Sequence, residues 1–181
     1  MENLIKNRIV ATDLWLRLEP AADGALPQVA AASDIIVPLA AWQGQRRKLV
    51  ARPGRIGVWL DSHEDPAALA DDLRFLGVVA VNFPRMADGR GYSTGRLLRE
   101  RFGYRGEVRA IGDVSRDMLL NLSRCGFDAF VLRPGEDPQA ALAAFNEITE
   151  SYQATVERPL PLFRRRDLAS PEQDGAGKVT P

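Results

Sequence analysis

The sequence predicts an α/β protein built from repeated βα units, with a parallel sheet of about five strands and flanking helices. Three observations carry this prediction. Short apolar runs rich in β-branched residues recur from Ile35 onward, helix start and stop signals separate them, and most of the runs do not alternate with polar residues. Strands buried on both faces of a parallel sheet have that character.

The first 30 or so residues are less regular. Ile9 to Leu18 alternates imperfectly and contains Trp15, which reads as one strand or a hairpin arm, and Asp23-Gly24 marks a turn. The apolar runs Ile35–Val37, Ile56–Leu60, Val78–Phe83, Val108–Ile111 and Ala129–Leu132 are the candidate strands. A helix from Leu39 to about Val50 follows the first run. Asp65-Pro66 places an N-cap before a proline at the first helical position, and Leu69, Leu73 and Leu76 then share a face that Gly77 can end. Ser93 can cap a helix that turns Leu98 and Phe102 inward and stops at Gly103. Ser115 caps one carrying Met118, Leu122 and Cys125, stopped by Gly126. Asp137-Pro138 opens the last, with Leu142, Phe145 and Tyr152 on its apolar face.

Right-handed crossovers between parallel strands leave two architectures. One is an open three-layer sandwich, favoured because five units are too few for a complete eight-stranded barrel. The other is a partial (βα) barrel, which a partner chain could complete. Three regions follow: an N-terminal strand or hairpin extension over residues 1–34, the βα-repeat domain over 35–153, and a flexible tail over 154–181. In the tail, Arg164-Arg165-Arg166 reads as a solvated charge run.

Composition narrows the function. Lys plus Arg and Asp plus Glu balance at 24 each, so no global charge draws the chain to nucleic acid or to an acidic membrane. No apolar run approaches the roughly 18 residues of a membrane span. Without a secretory signal at the N-terminus, the cytoplasm is the expected compartment. Cys125 is the single cysteine and His63 the single histidine, which excludes an internal disulfide framework and a multi-cysteine zinc or iron–sulfur site within one chain. Cys125 reads as a small core residue on the apolar face of its helix. A homodimer is compatible with the sequence, although no feature demands one.

Ligands of parallel α/β sheets bind outside the carboxyl ends of the strands. If the strands are parallel, the groups that follow them converge: Asp61 to Glu64, the loop Asn82–Ser93, Gly112-Asp113 with Arg116, and Arg133. The Asn82–Ser93 loop is the longest and most polar, with Arg85, Asp88, Arg90, Tyr92 and Ser93 around Gly89 and Gly91, and it leads into a helix N-terminus. Free N–H groups, the positive end of the helix dipole and arginine donors suit a small oxyanion, phosphate or carboxylate. The expected anion-binding set is Asn82, Arg85, Asp88, Gly89, Arg90, Gly91, Ser93, Arg116 and Arg133. Asp113, Tyr92 and Asp61 are the candidate catalytic residues, with the two aspartates as general bases. The plainer alternative pairs the arginines with Asp88 and Glu100.

Other motifs are weaker. Gly89, Gly91 and Gly95 resemble a dinucleotide fingerprint, but five residues separate Phe83 from Gly89 and the third glycine falls one place late. No Gly-Lys-Ser/Thr follows, so this is not a phosphate-binding P-loop. His63 among Asp61, Glu64 and Asp65 reads as a solvated acidic loop, since its spacing defines no metal site. No nicotinamide, flavin, iron–sulfur or zinc motif is found, and the cofactor is left unknown.

Several stretches taken together are distinctive: Gly57 to Asp61, Ala80 to Arg85, Asp88 to Ser93, Arg96 to Arg101, Arg109 to Val114, Arg116-Asp117 and Arg124 to Phe130. From Ile35 to Tyr152 the chain resembles the bacterial family catalogued as domain of unknown function 934. Members are commonly labelled oxidoreductases of sulfite reduction, through their association with sulfite reductase and assimilatory sulfate reduction. The resemblance therefore implies an oxidoreductase or accessory subunit in that process. A non-catalytic partner or maturation factor of sulfite reductase is the alternative, and a sugar-phosphate or nucleotide-binding enzyme a minor one. No catalytic residue is carried over from the family.

Overall fold

The computed structural model describes residues 4–20, 25–147, 154–156 and 159–164. The Asp23-Gly24 turn, Tyr152, Arg165 and Arg166 lie outside them.

Eight strands form one mixed sheet. They are β1 (Leu4–Lys6), β2 (Ile9–Ala11), β3 (Leu16–Arg17), β4 (Ile35–Pro38), β5 (Ile56–Leu60), β6 (Leu76–Phe83), β7 (Glu107–Gly112) and β8 (Ala129–Val131). Their spatial order is β2-β1-β8-β7-β6-β5-β4-β3. From β3 to β8 each strand lies parallel beside the next in sequence, whereas β1 runs antiparallel to β8 and β2 antiparallel to β1. The sheet is thus larger than the five parallel strands expected, and partly antiparallel. The extra strands come from the N-terminal segment. It folds at Asn7 and Arg8, both at positive φ, into a hairpin on one edge, then crosses to add β3 at the other edge.

Strand order also decides between the two architectures. When each right-handed crossover leads to the adjacent strand, every helix falls on the same face. The helices α1 (Leu39–Val50), α2 (Arg90–Glu100), α3 (Leu119–Arg124) and α4 (Pro138–Ala141) share one large core with the sheet. Trp42, Leu98, Leu122 and Ala141 pack there against Val58, Val81, Ala110 and Phe130. The opposite face carries a small cluster, Ile36, Val78, Ala80 and Ile111, with Trp15, Trp59 and Val131 packed on it. The result is a half-barrel rather than an open three-layer sandwich.

Several elements depart from the expected helices for local reasons: Ser115 makes no side-chain cap bond, and Arg116–Met118 is a 3-10 turn that leads into α3. Asp65 caps as predicted, accepting the Ala67 N–H at 2.9 Å, but Pro66–Leu69 and Leu73–Phe75 form only 3-10 turns. Leu76 and Gly77 are already in β6, which leaves too little chain for a full helix. Likewise α2 begins at Arg90, so Ser93 lies inside the helix and does not cap it. Asp137 accepts the Gln139 N–H at 2.9 Å and opens α4, which passes into a 3-10 turn over Leu142–Asn146.

On the concave face Arg109 is 2% exposed. Its Nε donates to Glu107 at 2.6 Å and its terminal nitrogen to Asp13 at 2.7 Å, while Lys6 Nζ lies 2.7 Å from Glu107. A buried guanidinium is tolerable only when paired in this way. The network fastens the N-terminal segment across β7. Among the described residues no helix is long and apolar enough to cross a membrane.

Candidate functional site

Register brings the carboxyl ends of β5 to β8 onto one rim. Asn82 pairs with Ile111 and Phe83 with Gly112, and the chain then turns so that the Asp113 N–H donates to the Phe83 carbonyl at 2.7 Å. Gly112 has φ +96°, and a Cβ there would lie 2.4 Å from the Phe83 oxygen, so the turn requires glycine. The Arg133 N–H bonds the Val114 carbonyl at 2.9 Å, which brings the β8 loop alongside.

The side chains meet as the backbone directs. Asp113 accepts from the Met86 N–H at 2.9 Å through one oxygen and from Arg133 at 3.3 Å through the other. Arg133 also donates to Glu136 at 3.1 Å. Its guanidinium is stabilised in the charged form, first by the Asp113 bond. On the neighbouring strand end, the Asn82 amide donates to Asp61 at 3.1 Å, and the Ser62 N–H donates to the same oxygen at 2.8 Å. The other Asp61 oxygen lies 3.5 Å from His63 Nδ1, and Glu64 accepts the Asp61 N–H at 2.7 Å. Asp61, Asn82, Asp113 and Arg133 therefore share one rim, as the sequence predicts.

The glycine–arginine turn follows the plainer alternative, in which arginines pair with Asp88 and Glu100, rather than the expected open anion site. Asp88 takes Arg90 through both oxygens, at 2.9 and 2.6 Å, and also accepts the Arg90 N–H at 3.2 Å. Arg90 in turn donates to Ser62 at 2.8 Å. The Arg90 bond holds the Asp88 carboxyl well below the usual carboxylate range. A carboxylate of the chain itself thus stands at the helix N-terminus where the sequence anticipates an external anion. Gly89 is exposed, whereas Gly91 is buried on the Phe83 ring, where a Cβ would come within 2.5 Å.

Three predicted residues lie apart from the rim group. The Tyr92 ring packs edge-on against Phe83, 5.5 Å between centroids, on the helix-covered face, and burial raises its hydroxyl pKa. Ser93 is exposed on α2. Arg116 is bound to Glu147 and lies 3.6 Å from Asp117. Arg85 is exposed, with no carboxylate in ion-pair reach among the described residues.

Sequence reasoning missed Met86, Ser62 and Glu136 as partners. Glu136 was detectable, three residues after Arg133 and within the same loop. Met86 contributes its backbone N–H, and no side-chain pattern signals that. Chemically the rim offers two carboxylates flanking an amide, one shared cation in Arg133 and one unshared in Arg85. An incoming anion can take Arg85 outright and compete with Asp113 for Arg133. Among the described residues no group of three or more His, Cys, Asp or Glu is placed to hold a metal ion.

One family model matches the chain over residues 57–163, from β5 through the whole rim; it describes a bacterial protein of unknown function (DUF934). No curated protein matches the chain.

Proposed function

The chain belongs to this bacterial family of unknown function, DUF934, and on that premise we propose that it handles a small oxyanion in bacterial sulfite reduction, as an oxidoreductase or accessory subunit acting in the cytoplasm. The pathway comes from the label its relatives commonly carry. The site comes from the rim. The observation that supports it most directly is the Asp113 carboxylate, which joins the Met86 N–H and Arg133 from two other strand ends.

In this reading Arg85 and Arg133 bind the anion, and a sulfur oxyanion matches their forked donors. Asn82 positions it, and Asp113 orients the Arg133 guanidinium for which the anion competes. Asp61, held by Asn82 and the Ser62 N–H, is the group placed to exchange a proton with a bound ligand. Arg90, saturated by Asp88 and Ser62, shapes the loop. Tyr92 takes no chemical part, since its ring lies on the opposite face.

Calorimetric titration with sulfite, sulfate and inorganic phosphate tests the proposal. Binding of a sulfur oxyanion should weaken by more than about 1.5 kcal/mol when Arg85 and Arg133 are both replaced by alanine. A native protein that binds none of the three anions ends the proposal. Preference for phosphate over both sulfur anions would favour a sugar-phosphate or nucleotide enzyme instead.

A second reading, a non-catalytic partner or maturation factor of sulfite reductase, is favoured by exposed apolar side chains in and beside the edge strands, Ile9 of β2 at 67% and Leu14, just before β3, at 70%. It predicts co-purification with that enzyme and no turnover by the protein alone.

A further inference from the structure

The opposite end of the sheet carries an arrangement that the rim does not use. Beneath the first residues of β6 and β7 lies an open cleft of about 590 Å³, walled by Arg74, Phe102, Tyr104 and Arg105. A second cleft of about 330 Å³ shares Arg74 and Leu76 with it and is floored by Leu49 and Ile56. The two form one groove.

About half of the arginines of the described residues are paired with a carboxylate, including Arg46, Arg55, Arg90, Arg96, Arg99, Arg109, Arg116 and Arg133. Of the groove's arginines Arg55 is so paired, with Asp34, whereas Arg74 and Arg105 are not. Arg74 lies over the Phe75 ring at 4.8 Å and Arg105 is exposed; among the described residues neither has a carboxylate in ion-pair reach. Phe75 is 36% exposed and also has Arg46 over its ring, at 5.3 Å. Two guanidinium groups without a carboxylate, set beside an apolar floor, suit a ligand that brings negative charge and an apolar side chain together.

We propose that this groove is a docking site for an acidic protein segment, one whose Asp or Glu residues pair with Arg74 and Arg105 and whose apolar side chain enters the Leu49–Leu76 floor. Asp71 is the one carboxylate on the groove wall and leaves it cationic. Nucleic acid fits less well. Tight binding to a phosphate backbone needs roughly six to ten neutralising contacts, and base stacking needs free aromatic faces. Here Arg74 and Arg105 are the two cations without a carboxylate, and the Phe75 ring is already flanked by arginines. The groove lies at the foot of the strands and the oxyanion site at their carboxyl ends, so the proposal stands independently of the rim.

Fluorescence anisotropy on the full chain tests it with three labelled probes: a glutamate–leucine peptide, a lysine–leucine peptide and single-stranded oligothymidylate. The acidic peptide should bind, weaken with added salt, and lose about tenfold in affinity in the Arg74→Glu/Arg105→Glu protein. The Arg17→Glu/Arg96→Glu protein, with the same net charge change on other surfaces, should bind it as the native protein does. Either of the other probes binding as tightly as the acidic peptide overturns the proposal. So does failure of the acidic peptide to bind, or an equal loss in the control protein.

Discussion

The carboxylate of Asp113 reaches from the end of β7 to the Met86 N–H, 2.9 Å away in the loop that follows β6. This bond, with Arg133 on the other oxygen at 3.3 Å, sets the shape of the rim. Asp113→Ala removes an acceptor shared by two loops. Asp113 is partly exposed, so the stability loss should be modest, about 1 kcal/mol. The effect on the site should be larger. Amide exchange at Met86 should speed up by an order of magnitude or more, as expected for loss of its acceptor. Unchanged protection of the Met86 amide would show that the loop is held by something else.

Two glycines of α2 set how closely that helix approaches the sheet. An added Cβ at Gly91 would lie 2.5 Å from the Phe83 ring, and one at Gly95 would lie 2.3 Å from the Phe127 ring. Neither ring can yield freely, because Phe83 is wholly buried and Phe127 is 2% exposed. Gly91→Ala and Gly95→Ala should each cost about 1–3 kcal/mol by overpacking, read from urea unfolding midpoints. Gly89→Ala, with open space at the Cβ, is the control and should cost little.

The same contrast shows what the sequence could reveal. Ile56–Leu60 and Leu39–Val50 appear with their predicted limits, because a β-branched apolar run and a helix following a buried strand are local signals. The convergence of Asp61, Asn82, Asp113 and Arg133 followed from parallel strands alone. Strand order did not, since repeated βα units suit an open sheet and a half-barrel equally. Edge strands of two or three residues, such as Leu16–Arg17, are too short to produce a pattern. Nor does any window of sequence reveal that Asp13 pairs with Arg109, 96 residues away. The arginines of the Asn82–Ser93 loop could be counted and Asp88 named as a partner, but that Asp88 takes Arg90 and leaves Arg85 could not be read.

Asp72 makes the fold acid-sensitive. It accepts from Trp42 Nε1 at 2.8 Å and from Arg46 Nε at 2.7 Å, tying α1 to the turn before β6. The Arg46 bond, aided by Trp42, holds its carboxyl below the ordinary value of 3.8. A carboxyl depressed in the folded state contributes stability that is fully present above its unfolded pKa and is lost as pH falls through the folded value. Asp34 with Arg55 acts in the same direction. Stability should therefore be level near neutrality and decline below about pH 4. Asp72→Asn should cost about 1 kcal/mol at pH 7 and should flatten part of the acid decline. Fluorescence of the three tryptophans, of which Trp42 is buried beside Asp72, reports the unfolding. An acid slope equal to that of the native protein would remove Asp72 from this role.

Arg99 closes the foot of the sheet. Its guanidinium donates to the carbonyls of Gly126, Tyr104 and Gly106 at 2.8, 2.8 and 2.7 Å, and to Asp128 at 2.7 Å. Asp128 also accepts the Val108 N–H at 2.9 Å. Burial pushes the Asp128 carboxyl up, and Arg99 opposes that rise. Arg99→Ala should cost about 2–4 kcal/mol at pH 7, because it leaves carbonyls without donors and a half-buried carboxylate without its cation. Arg99→Lys should recover little of this, since a single ammonium cannot span four acceptors arranged for a planar fork. The pH dependence separates the two contributions. Without Arg99, the folded-state pKa of Asp128 rises further above its unfolded value. The folded variant then gains a proton as pH falls through that raised value, and the charge penalty disappears. The stability gap between native and variant proteins should narrow from pH 7 toward pH 4, leaving the cost of the unpaired carbonyls. A gap that stays constant over that range would mean that Asp128 contributes nothing and that the carbonyls alone account for the loss.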